Sequence, residues 1–120
     1  EACWAICHLA SSDANRLAMT EAGIVERIVA AMRAHGGCAS VQESACGALC
    51  NMAHANEGTR AIISRAGGVQ RIVVAMSAYT HRVGLQRAGC EALRNLATTA
   101  QNQTAISRAG GVEVVLAAMS

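Results

Sequence analysis

Proline, phenylalanine and lysine are absent from this chain of 120 residues, and aromatics are reduced to Trp4 and Tyr79. Without proline the commonest helix breaker is gone, so the punctuation has to come from glycine, of which there are 11. Without large aromatics the core must be built from Ala, Val, Ile, Leu, Met and Cys. Such side chains suit helices that pack closely and make a poor pocket for a bulky ligand. Apolar runs are only a few residues long, too short to span a bilayer, which excludes a membrane partner of that kind. Excess charge of one sign is missing as well: ten arginines and eight acids leave a formal +2. Nucleic-acid binding usually shows a clustered basic stripe. Here Arg65, Arg71 and Arg108 recur among Glu and Gln and read as solvated helix ends, so no nucleic-acid partner is expected.

The six cysteines form an even number, which in a small secreted chain would suggest disulfides. Their placement argues otherwise. Cys3, Cys46 and Cys90 occupy one position in three copies of a phrase, and Cys7 and Cys50 are equivalent one turn later. Free cysteine behaves as a small buried apolar residue, so a reduced core and a cytoplasmic setting are expected.

What is present is repetition. One phrase reads EAGIVERIVAAM at 21–32, RAGGVQRIVVAM at 65–76 and RAGGVEVVLAAM at 108–119. A second interleaves with it: EACWAICHLA at 1–10, ESACGALCNMA at 43–53 and RAGCEALRNLA at 87–97. A period in the low forties with helical punctuation is the signature of an α-solenoid. In the first phrase Val25, Ile28, Val29 and Met32 fall at i, i+3, i+4 and i+7, one face of a helix. Val69, Ile72, Val73 and Met76 repeat that face, as do Val112, Val115, Leu116 and Met119. Gly23, Gly67 and Gly110 stand before each copy, where a left-handed residue can end one helix and start another.

The helices so ended are short, near 13–22, 58–66 and 101–109. Leu17 and Met19, Ala61 and Ile63, and Thr104 and Ile106 are their matched positions. A third helix is predicted over 1–10, 41–54 and 83–97. Its buried stripe is Val41, Ala45, Ala48, Leu49 and Met52, echoed by Leu85, Gly89, Ala92, Leu93 and Leu96. Ala45 and Gly89 are small where two helices must approach closely. The Gly36-Gly37 stretch within 35–40 is expected to be a flexible link.

Short helix, glycine turn, second helix, loop and long third helix, carrying Ala-Gly-Gly-Val and Glu-Ala-Leu-Arg-Asn-Leu-Ala, resemble the armadillo repeat. The likeness covers essentially the whole chain. It implies an all-α fold, a right-handed α-solenoid of about three three-helix repeats in one array over 1–120. The units would be a third helix at 1–10, repeats at 13–54 and 57–97, and a truncated repeat at 101–120. The proline often found early in the family's second helix is replaced by Glu26, Gln70 and Glu113, which a helix start permits. The ends fall out of phase with the repeat, so a longer array is expected, with flanking repeats or another copy covering the ends. Val112, Val115, Leu116 and Met119 would lack cover.

The resemblance also implies a protein- or peptide-binding scaffold, its concave groove lined by third helices. Family members hold extended peptides through an asparagine near the end of that helix, often with a tryptophan one turn earlier. The asparagine position maps to His8, Asn51 and Asn95, and the tryptophan position to Trp4, Gly47 and Glu91. Ser44 lies on the same expected face. An Asn amide offers a peptide backbone both donor and acceptor, yet the Trp–Asn pair is incomplete in every copy.

Other chemistries fare worse. Cys46, Cys50 and His54 fall at i, i+4 and i+8, but zinc needs sulfurs about 2.3 Å away and stacked helices sit roughly 8–10 Å apart. No metal or other cofactor is therefore expected. No supported Ser-His-Asp or Cys-His pair and no phosphate loop appears, so the chain does not read as an enzyme. The alternative to a binding scaffold is an architectural spacer that contacts neighbours through its ends or convex face.

Overall fold

The computed structural model describes residues 23–54 and 57–119, so the expected helices at 1–10 and 13–22 lie outside the described residues. Among the latter there are seven α-helices and no strand: α1 (Ile24–Ala34), α2 (Ala39–Ala53), α3 (Glu57–Arg65), α4 (Gly68–Ala78), α5 (Val83–Leu96), α6 (Ala100–Arg108) and α7 (Gly111–Ala118). Helices α3 and α6 are the short first helices, α1, α4 and α7 the second, and α2 and α5 the third. Only neighbouring units touch extensively, and the broadest contact between helices is that of α2 with α5.

The glycine turns are as the sequence demands. Gly23, Gly67 and Gly110 have φ of 78°, 88° and 88°, and no other described residue is left-handed. Gly67 closes one helix and opens the next. Its N–H donates to Ser64 O at 3.1 Å, while its carbonyl accepts from Arg71 N at 3.1 Å. Gly110 repeats this with Ser107 and Val114.

The glycine that follows is required for a different reason. A Cβ on Gly68 would lie 2.5 Å from Ile63 Cγ2 and 2.9 Å from the Ile63 carbonyl oxygen. One on Gly111 would strike Ile106 in the same way. The close crossing of first on second helix thus depends on a missing side chain.

The buried stripes of α1 and α4 contain all eight expected residues. In α5 the stripe Leu85, Gly89, Ala92, Leu93 and Leu96 is also buried. Gly89 lies against Met76, whose Sδ would be 2.6 Å from an added Cβ, so the close approach expected there is real. In α2 the stripe shifts by one residue. Ala45, Ala48, Leu49 and Met52 are buried, but Val41 is only half-buried and Gln42 goes inside instead.

The reason is hydrogen bonding. Gln42 Nε2 donates to the carbonyls of Met32 and His35, both at 3.0 Å. Gln86 does the same for Met76 at 2.9 Å and Tyr79 at 3.0 Å. A helix end leaves several carbonyls unpaired, and in each unit a glutamine from the third helix takes up those of the second. The next junction works alike: Arg60 Nη1 donates to Ala53 O at 2.8 Å, and Gln103 Nε2 to Ala97 O at 3.0 Å.

At the start of the Gly36-Gly37 loop, Gln42 Nε2 donates to His35 O at 3.0 Å and Tyr79 Oη donates to Gly36 O at 2.7 Å. The first helices begin one residue earlier than expected and bury only one member of each matched pair. Ile63 and Ile106 are inside, whereas Ala61 and Thr104 are exposed. A nine-residue helix has one narrow inner stripe, and its second place goes to Thr59 and Asn102, four residues before the isoleucines. Asn102 is satisfied there, its Oδ1 accepting from Ser64 Oγ of the preceding unit at 2.6 Å.

Substituting Gly68 by Ala should lower stability by about 1–3 kcal/mol in urea unfolding, the usual cost of overpacking. The comparison is Gly37→Ala, where a Cβ meets nothing within 4 Å, and where a change within about 0.5 kcal/mol is expected.

Candidate functional site

Helices α2 and α5 run side by side, and their outward surfaces form the candidate site. On α2, Ser44, Gly47 and Asn51 share one face at i, i+3 and i+7, and all three are half-buried. On α5, Glu91 is exposed and Asn95 half-buried. These two meet at Cys50 of α2. Asn95 Nδ2 donates to Cys50 O at 3.3 Å and to Cys50 Sγ at 3.4 Å, while the Cys50 thiol lies 3.9 Å from Glu91 Oε2. Of the seven expected residues, Ser44, Gly47 and Asn51 thus share a face of α2 by spacing, and Glu91 and Asn95 of α5 reach Cys50, the chain neighbour of Asn51. Trp4 and His8 lie outside the described residues.

The amide of Asn95 thus has a structural duty: its donor side ties one third helix to the next. Glu91 stands in the place equivalent to Gly47 and brings a carboxylate where α2 has no side chain.

Sequence reasoning passed over the N-terminal edge of this surface. Arg82 Nε donates to Glu43 Oε1 at 2.7 Å, and Gly84 lies so close to Glu43 that any side chain there would collide with the carboxylate. Glycine at 84 leaves the room that this pair occupies. Both charged side chains are roughly two-fifths exposed (44% and 37%), so the pair orients more than it stabilises.

Beneath the surface lie thiols. Cys46 is fully buried, and its pKa is pushed up to about 12, first by burial and then by the nearby Cys50 and Glu43. Cys90 is raised too, by burial and then by Glu91. A nucleophilic or metal-binding cysteine needs the thiolate, and these surroundings disfavour it. Among the described residues no group of three or more His, Cys, Asp or Glu side chains is placed to hold a metal ion. No disulfide joins the described cysteines, and no helix among the described residues is long and apolar enough to cross a membrane.

Compared with known proteins, residues 12–54 match the family model described as Armadillo/beta-catenin-like repeat. Those residues are similar to an armadillo repeat. The described part of the match contains α1 and α2, and α3, α4 and α5 follow with the same order and the same glycine turn. No curated protein and no solved structure gives a match. The armadillo repeat is a non-enzymatic scaffold that commonly mediates protein binding, and the α2–α5 surface is where its third helices lie.

Unfolded, Cys46 would ionise near the ordinary thiol value of 9.0, but folded it keeps its proton to about 12. The unfolded chain therefore sheds the proton first, and stability should fall as pH rises from 9 towards 12. Urea unfolding across that range should show a steeper loss for the parent chain than for Cys46→Ala. Equal slopes would mean that Cys46 is not the group responsible.

Proposed function

We propose that this chain is a protein- or peptide-binding scaffold, without catalytic activity, that receives its partner on the third-helix surface. The observation that carries this reading is the shared face of α2 and α5, which sets Ser44, Gly47 and Asn51 beside Glu91 and Asn95. Polar, partly buried groups on a rigid helical platform suit an extended backbone, because amide side chains bond main-chain groups whatever the sequence. The mixed charges, Glu43 and Glu91 with Arg82, Arg87 and Arg94, favour no strongly acidic or basic partner. In this reading Trp4 and His8 extend the same surface by one unit, and the surface is the concave one.

The architectural reading keeps one observation in its favour. Val112 and Leu116 on α7 and Met119 at its C-terminal cap are 51%, 60% and 77% exposed, an apolar face suited to a neighbour rather than to a peptide backbone.

A random extended-peptide library displayed on phage and selected on the immobilised chain tests the first reading. Binders should lose at least tenfold in affinity to Asn51→Ala/Asn95→Ala. Unfolding midpoints should be compared in parallel, because loss of the Asn95 bond alone costs about 0.5–1.5 kcal/mol of stability. Peptides bound equally well by that folded variant would contradict the assignment of this surface.

A further inference from the structure

The first helices α3 and α6 meet where Ser64 Oγ donates to Asn102 Oδ1 at 2.6 Å. Beside that contact they leave a groove of about 540 Å³, with Ser64 and Arg65 on one wall and Thr99, Gln101 and Asn102 on the other. Its lining shares no residue with the third-helix surface.

What these residues turn towards the groove is hydrogen-bond donors. Asn102 is only 4% exposed. Its Oδ1 is taken by Ser64 and its backbone N–H by Thr99 Oγ1, whereas its Nδ2 has no hydrogen bond among the described residues. Nor is that nitrogen sealed in the interior. Among the described residues Arg60 Nε is the one buried side-chain nitrogen or oxygen without a partner. The free donor of Asn102 therefore opens into the groove that the residue lines.

The start of α6 adds to it. Thr99 caps the N–H of Asn102, which leaves the first-turn N–H groups of Ala100 and Gln101 unpaired. No acidic residue stands in that turn, so the helix end is electropositive. Arg65, the chain neighbour of Ser64, is exposed and makes no ion pair or hydrogen bond among the described residues. One acid, Glu57, lines the groove. It begins α3 where Arg65 ends it, about 12 Å away along the helix axis.

We propose that this groove is a phosphate-binding site. Backbone N–H groups, an amide and a guanidinium bound its Arg65 end. A phosphate group brings three acceptor oxygens and close to two negative charges, and so can use all of these donors at once. Helix N-termini and arginine are the ordinary protein partners of that group. The volume holds the phosphate together with the residue that would carry it. The source is a phosphorylated side chain of a protein partner or free phosphate, and the chemistry at Arg65 and α6 is the same for both.

Titration of the isotope-labelled 120-residue chain with inorganic phosphate, followed by NMR against sodium chloride at equal ionic strength, tests this. The backbone signals of Ala100 and Gln101 and the side-chain amide of Asn102 should shift and saturate with phosphate but not with chloride. Arg65→Gln should weaken binding about tenfold or more, the scale of one charge-assisted hydrogen bond. Gln101→Glu should weaken it as much without lowering the urea midpoint, because an acid at a helix start favours folding. Arg108→Gln, the equivalent arginine outside the groove lining, should bind like the parent. A phosphoserine peptide that binds more tightly than inorganic phosphate identifies a chain-borne group as the occupant; one that binds no tighter identifies free phosphate. Shifts that do not saturate, that chloride reproduces, or that persist in Arg65→Gln and Gln101→Glu would overturn the inference.

Discussion

The structure depends on the closure of the second helices α1 and α4 by the third helices α2 and α5 that pack over them. Helices of nine to eleven residues are marginal alone in water, and neither α1 nor α4 has a side-chain cap at its N-terminus. What holds them is burial, at about 1.5–3 kcal/mol for each large aliphatic side chain removed from water. That gain needs atomic contact, and contact over Met76 is possible because the covering position is Gly89. Small residues at the crossing therefore set how much of every other side chain can be buried.

Polar groups do a second job. Each helix junction would leave unpaired carbonyls in a crowded interior, and long polar side chains from the next helix reach back to them: Gln42, Gln86, Arg60 and Gln103. Further bonds cross between units in all three helix rows, through Ser64 to Asn102, Tyr79 to Gly36 and Asn95 to Cys50. These net only about 1 kcal/mol apiece, but their spacing fixes one unit on the next. The third-helix surface is a rigid platform for that reason, and Asn95 belongs both to the platform and to the face offered to a partner.

The sequence carried the apolar stripes of α1, α4 and α5 and the left-handed glycines plainly, because three copies agree and the period is unambiguous. It was less open about residues whose role depends on a neighbouring unit. Gln42 hides beside Val41, and only the recurrence of glutamine at 86 could have marked it. The second glycine of Ala-Gly-Gly looks like a spare turn residue until the Ile63 carbonyl is seen beneath it. Thr59 and Asn102 are polar and would be assigned outward by any hydropathy rule. At the candidate site the helix and the face were legible for Ser44, Gly47, Asn51, Glu91 and Asn95, whereas the anchoring of Asn95 to Cys50 was not. Side-chain partners across a repeat boundary leave no periodic trace.

If cover by a third helix is what stabilises a second helix, then α4 and α7, so alike in sequence, should differ greatly in protection. Native-state hydrogen exchange on dilute protein measures this directly. The account predicts that amides of Val73–Ala78 in α4 exchange only with near-global unfolding, while those of Val115–Ala118 in α7 exchange by local opening, orders of magnitude faster. Equal protection in the two helices of the monomer would contradict it.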